Sequence, residues 1–183
     1  MKKFILSGIV GMSIIAACSL AFAEANDPAW DRYISSQKQV QVKTHHYMKL
    51  EAPKLTELFD KSLDLQLSLI DQKSVRFNFL LAHHPEEIER RQGFESFVNF
   101  PWTDEDEQVL EQANGEYRSL KEKIAKLTQT VESDPDFPQL KSQLLSLESN
   151  VKYREVISRF RFVPQEIESM LSNENESEER ITL

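Results

Sequence analysis

The four histidines are the residues whose type could bind a metal ion, and they occur as two adjacent pairs, His45-His46 and His83-His84. Imidazoles hold zinc or copper when several converge. Neighbours on a helix point about 100° apart, so neither pair chelates as an i, i+4 pair does. A shared site would need the fold to join the two pairs, with a carboxylate such as Glu86 or Glu87. Four structural or surface imidazoles ask less of the chain. No metal is therefore expected, and these His mark where one would be sought.

Carboxylates form two runs, Asp104-Glu105-Asp106-Glu107 and Glu174 to Glu179. The first lacks the spacing of a calcium loop. It sits where a helix N-terminus favours negative charge. With 30 acids present, no pair stands out for glycoside hydrolysis. The chain has no Gly-x-Ser-x-Gly, no His-Glu-x-x-His and no phosphate loop. The expectation is a non-enzymatic protein without a cofactor.

The most unusual cluster is aromatic: Phe94, Phe97, Phe100 and Trp102. Such a group either plugs one end of a helical bundle or lines a groove for a partner. These four are the partner-binding candidates.

The N-terminus speaks to compartment. Met1-Lys2-Lys3 is a basic start, Phe4 to Ala17 an apolar run without charge, and Ala21-Phe22-Ala23 a small-x-small site. Residues 1–23 are thus predicted to be a signal peptide cleaved after Ala23. The run falls short of the about 20 residues that a membrane span needs. Ile15-Ala16-Ala17-Cys18 offers a second route, a lipobox with Cys18 as the acylated first residue. Simple cleavage removes the only cysteine and leaves no disulfide and no thiolate ligand. The predicted location is periplasmic or secreted; the alternative is a lipoprotein held to a membrane through Cys18.

The chain carries 22 Lys and Arg against 30 Asp and Glu, a net charge of −8, which loss of Lys2 and Lys3 deepens to −10. That balance argues against nucleic-acid partners and against direct adsorption to anionic lipid. Beyond the leader only Gly93 and Gly115 remain of the glycines. A Gly-poor chain rich in Leu, Glu, Gln, Lys and Ser reads as helical.

Elements follow from capping and period. Asp27-Pro28 predicts a helix start, running to about Leu50 and broken by Pro53. A second helix is predicted over Lys54 to Leu81. Within it Leu63, Leu65, Leu67 and Leu69 alternate with a strand period, but Leu is not β-branched and the flanks are helical. A short helix opens at Pro85 and stops at Gly93. Thr103, with Asp106 three residues on, opens a third long helix over 104–132. Its seam is Ala113, Tyr117, Leu120, Ile124, Leu127 and Val131. The turn from Ser133 to Pro138 leads into a fourth helix that Pro164 ends. The short turn predicts that Tyr117, Leu120, Ile124 and Leu127 face Leu140, Leu144 and Leu147. Residues 172–183 are polar and acidic and predicted to be a disordered tail. The expected fold is all-α: residues 24–171 form an antiparallel bundle of three or four helices with a short extra helix.

Three stretches carry a family likeness. Phe137-x-x-Leu140-x-x-Gln143-Leu144-x-x-x-Glu148-x-x-Val151, Val131-Glu132-x-x-Pro135-Asp136 and Leu50-x-x-Pro53-x-Leu55 resemble elements of the LemA family of bacterial envelope proteins. The resemblance implies an envelope location and a helical bundle, and no catalytic residues.

These features together point to a periplasmic or envelope protein that binds another envelope protein. The 104–132 seam offers a surface for self-association. The alternative is a binding module for a metal ion or small ligand, built on the His pairs or the aromatic patch.

Overall fold

The computed structural model describes residues 27–89, 93–147 and 149–181, and among them the regular structure is helical, without strands. The expected signal peptide, its cleavage site and Cys18 lie outside the described residues.

Helix α1 spans Pro28–Glu51. The Asp27 carboxylate accepts the Ala29 and Trp30 amides at 2.9 and 3.0 Å, so the cap read in the sequence is formed. Pro53 breaks the chain into a single 3-10 turn, Pro53–Leu55, and α2 follows over Thr56–His83. The alternating leucines lie inside α2. Residues two apart on a helix are about 200° apart, so Leu63 and Leu67 share one side and Leu65 and Leu69 another. A helix with neighbours on several sides uses such a pattern, and α2 packs against α1, α6 and α7.

Short elements follow: α3 (Pro85–Glu89) and α4 (Glu95–Val98). Gly93 between them has φ +71°, the left-handed conformation that glycine takes most easily. α5 spans Asp104–Ala113 under a complete Thr103/Asp106 capping box, and α6 spans Gly115–Glu132. The single helix expected over 104–132 is thus two. Asn114 is extended and its side chain accepts the Tyr117 amide at 3.0 Å, capping a new helix where apolar spacing runs straight on. The expected fourth helix is divided likewise. α7 covers Phe137–Leu147, and α8 (Val151–Ile157) starts afresh under Asn150, which accepts the Tyr153 amide at 3.1 Å. The residues of the LemA-like stretch therefore fall on two helices. A 3-10 segment, Ser158–Phe162, leads into α9, Val163–Ile181. Pro164 stands in the first turn of α9, where a proline is tolerated, instead of ending a helix. α9 runs on through residues 172–181, the stretch whose acidic composition had suggested a disordered tail. Glu is a good helix former, and this helix is already anchored upstream by the buried Val163 and Ile167.

The long elements lie side by side in the order α8–α9, α1, α2, α6, each antiparallel to its neighbour. Trp30 stacks on Phe77 at 3.9 Å at one end of the α1–α2 hairpin, while Met48 clusters with Leu58 and Phe59 at the other. Arg76 reaches the Tyr117 hydroxyl at 2.8 Å and Lys123 reaches Asp64 at 2.7 Å, which sets α6 against α2. Arg32 to Glu166 and Thr44 to Tyr153 set α9 and α8 against α1. The α6 seam therefore packs chiefly along α2, not along α7 as the short turn had suggested. α7 is only 11 residues long and sends Leu140 and Leu147 into the far core, leaving Leu144 41% exposed.

Two apolar cores result. One joins Trp30, Tyr33, Phe77, Leu80, Phe97, Leu110, Tyr117 and Ile167. The other joins Tyr47, Met48, Leu55, Leu58, Phe59, Leu65, Val131, Leu140 and Leu147. Between them the buried positions of α1 and α2 include Ser36, Thr44 and Ser68. Ser36 and Ser68 return their hydroxyls to carbonyls of their own helices at 2.7 Å, so burying them leaves no hydrogen bond unmade.

Candidate functional site

At the end of the molecule that holds the second core, α1, α2 and α7 leave a cleft of about 230 Å³. α1 lines it with Gln41, Thr44, His45 and Met48, and α2 with Phe59, Ser62, Leu63 and Gln66. Each set steps i, i+3, i+4, i+7, one face of a helix. Leu140 and Leu144 of α7 complete it. Met48, Phe59 and Leu140 are buried and make an apolar floor. Gln41, Gln66 and Ser62 supply amide and hydroxyl groups beside it. Leu144 stands half out of the surface, and the adjoining Leu145 is 71% exposed.

His45 is held in place at this cleft. Its Nε2 lies 2.6 Å from Asp60, which also receives Lys49 at 3.0 Å. Hydrogen bonds from Lys49 and His45 hold the Asp60 carboxyl below its usual range. The cleft contains no nucleophile paired with a base. It offers an apolar seat bordered by amides, which is the chemistry of binding. Its volume is below the roughly 300–1,000 Å³ of small-molecule sites, so it suits an apolar side chain presented by another molecule.

The other sequence candidates fall elsewhere. His46 is exposed. His83 shares its Nδ1 with the Phe79 carbonyl at 2.9 Å and stacks on the Phe79 ring. His84 lies 3.4 Å from Asp106 and 3.9 Å from Glu86. His45 meets α2 near its start and His83 ends it, about 35 Å along the helix axis. The fold does not join the two pairs, and among the described residues no three His, Cys, Asp or Glu converge to hold a metal ion.

The aromatic segment packs inward. Phe97 is 1% exposed and tilts against Trp30 and Phe77 at centroid distances of 5.6 and 5.3 Å. Phe94, Phe100 and Trp102 lean on the same core, half-buried. Phe97 thus packs as a plug would, while Phe94, Phe100 and Trp102 keep part of their surface open.

One constellation escaped the sequence reading. The Glu107 Oε2 accepts the Arg76 guanidinium, the Tyr117 hydroxyl and the Trp102 indole N–H, each at 2.8 Å. Lys121 Nζ lies 2.5 Å from Oε1 and also meets Glu111. Arg76 stacks over the Trp102 ring at 5.0 Å. Burial alone would raise the pKa of Glu107. Hydrogen bonds from Lys121, Tyr117 and Trp102, together with the Arg76 charge, outweigh burial and hold it at about 2. A carboxylate so fully engaged ties α2, α5, α6 and the aromatic segment together. In sequence it was one acid in a capping run, and nothing set it apart from its three neighbours.

No protein-family model, no characterised protein and no solved structure matches this chain.

Proposed function

We propose that this chain is an exported, non-enzymatic protein of the cell envelope that works by binding another protein, and that the α1–α2–α7 cleft receives an apolar side chain of that partner. The observation that carries the reading is the cleft itself: an apolar floor left open, too small for most free ligands, with Leu144 partly exposed at its border and the next residue, Leu145, exposed. Interface anchors are side chains of this kind, seated in small desolvated pockets. The order of charge, apolar run and small-x-small site over residues 1–23 supports export, and the LemA-like stretches support an envelope setting.

A photo-crosslinking amino acid at position 144 tests the docking in intact cells. The expected result is one adduct of discrete mass that disappears in a Leu63→Glu background with an unchanged thermal melt. No adduct, or one indifferent to Leu63→Glu, would overturn the cleft as the docking site. Native mass spectrometry of the purified protein addresses the alternative, because a metal or small molecule bound in stoichiometric amount would make the chain a ligand-binding module. The same spectra read the N-terminus: Glu24 is expected, and an acylated Cys18 would make the chain a lipoprotein.

A further inference from the structure

We propose that the segment from Val151 to Phe162 seats the protein on an anionic phospholipid surface, with its arginines on the phosphates and Phe162 at the edge of the acyl region. Chain-wide charge argues against such contact, but charge acts locally. At physiological salt the Debye length is about 8 Å, so a surface senses the patch that faces it rather than the net charge.

Lys152, Arg154, Arg159 and Arg161 fall within ten residues, all exposed, with Glu155 as the one acid among them. Arg32, Lys38, Arg76, Lys121 and Lys123 each sit on a carboxylate. Among the described residues the four cations of this segment sit on none. The acids of α9 nearest in sequence are engaged elsewhere: Glu166 holds Arg32, and Glu168 accepts the Phe94 amide.

Arg154 and Arg161 come to one shallow depression of about 270 Å³, shared with Val151, Glu155 and Ser158. Two guanidiniums on one hollow match the charge and donor geometry of a phosphate group. Apolar side chains stand beside them in the open: Val151 is 59% exposed and Phe162 is 65% exposed. An acidic protein partner would use the cations and leave these two wet. A lipid surface uses both, with charges at the headgroups and the aromatic ring at the acyl boundary. The segment is short and helical, α8 followed by a 3-10 turn, and its cations and apolar side chains stand exposed together. This contact is separate from the cleft and does not depend on it.

Flotation of the protein, as the cell processes it, tests the proposal. Vesicles of equal parts phosphatidylglycerol and phosphatidylcholine are compared with phosphatidylcholine alone, and the readout is the excess bound to the anionic vesicles, which a lipid anchor would not create. Each cation near an anionic surface contributes about fivefold to partitioning, so Arg154→Gln with Arg161→Gln should cut the excess about 25-fold. Both side chains are exposed and unpaired, so circular dichroism and thermal melts should match the parent. Phe162→Ser should weaken anionic binding as well, and salt added to the parent protein should abolish its excess. Equal partitioning to both vesicle types, or an excess untouched by the double substitution, would overturn the proposal. Capture on immobilised polyglutamate with no excess on anionic vesicles would overturn it too and assign the patch to an acidic protein.

Discussion

The Glu107 carboxylate accepts the Tyr117 hydroxyl at 2.8 Å across the Asn114 break, so the residue that begins the α6 core contact is tied back to α5. The carboxyl titrates at about 2 in the folded protein against an ordinary 4.5. Between those values the unfolded chain binds the proton and the folded chain does not, so stability rises with pH in that window. The contribution is complete above the unfolded pKa and is lost as pH falls toward 2. It amounts to about 3 kcal/mol. Glu107→Gln should cost about that much near neutrality, since Arg76 and Lys121 are left facing an amide. Urea melts of both proteins between pH 7 and the folded pKa measure it. The two curves should converge with acid, and parallel curves would contradict the assignment.

Phe97 and Leu144 should answer truncation oppositely. Phe97 fills the first core, so Phe97→Ala should lower stability by about 3–5 kcal/mol. Leu144 stands partly exposed at the cleft, so Leu144→Ala should cost far less than Phe97→Ala, about 1 kcal/mol or less, while weakening partner capture. Equilibrium denaturation, with crosslinking yield from a photo-crosslinker at position 145 in each variant, separates the two effects. A stable Phe97→Ala variant that no longer bound partner would return the aromatic segment to the role of an interface.

Asn114 should behave as a cap. Removing its acceptor leaves the Tyr117 amide without a partner inside the protein, so Asn114→Ala should cost about 1 kcal/mol. Asn114→Asp keeps an acceptor and should be nearly neutral. Thermal melts of the two variants decide it. Equal midpoints for both would mean that the break is held by packing alone.

Gly93 carries two constraints that a pair of substitutions can divide. Its φ of +71° makes any L side chain strained, and an added Cβ would lie 2.8 Å from a Glu168 carboxylate oxygen. Gly93→Ala should cost about 1–2 kcal/mol for the left-handed backbone alone. Measured against Glu168→Ala alone, which also loses the acceptor of the Phe94 amide, the double variant should recover the part due to the close contact and no more. Full recovery would show that backbone conformation costs little at this position.

What the sequence conveyed was mostly local. Asp27-Pro28, Pro53, Gly93 and the Thr103/Asp106 box are short-range chemistry, and each does in the fold what its residue types require. The breaks at Asn114 and Asn150 rest on equally local chemistry. They were hidden because the apolar step from Ala113 to Tyr117 continues a helical period, and a period carries no mark of interruption. Neighbour choice was the harder matter. A short turn brings α7 near α6 but does not oblige the two to pair, and α2, with leucines on several sides, took the α6 seam. The cleft was invisible for a different reason. Gln41, Thr44, His45 and Met48 form one face with no repeated residue type, so only the arrival of Leu140 from a distant helix makes them a site.

The buried hydroxyls between the two cores divide the molecule's cooperativity. Apolar packing does not run unbroken along the α1–α2 hairpin, so opening the end built on Phe59 and Leu140 need not disrupt the stack of Trp30, Phe77 and Phe97. Amide exchange should therefore report two classes of protection, one for each core. Opening on the Leu63 side then works against the free energy of that core alone, while the aromatic end keeps the hairpin in register.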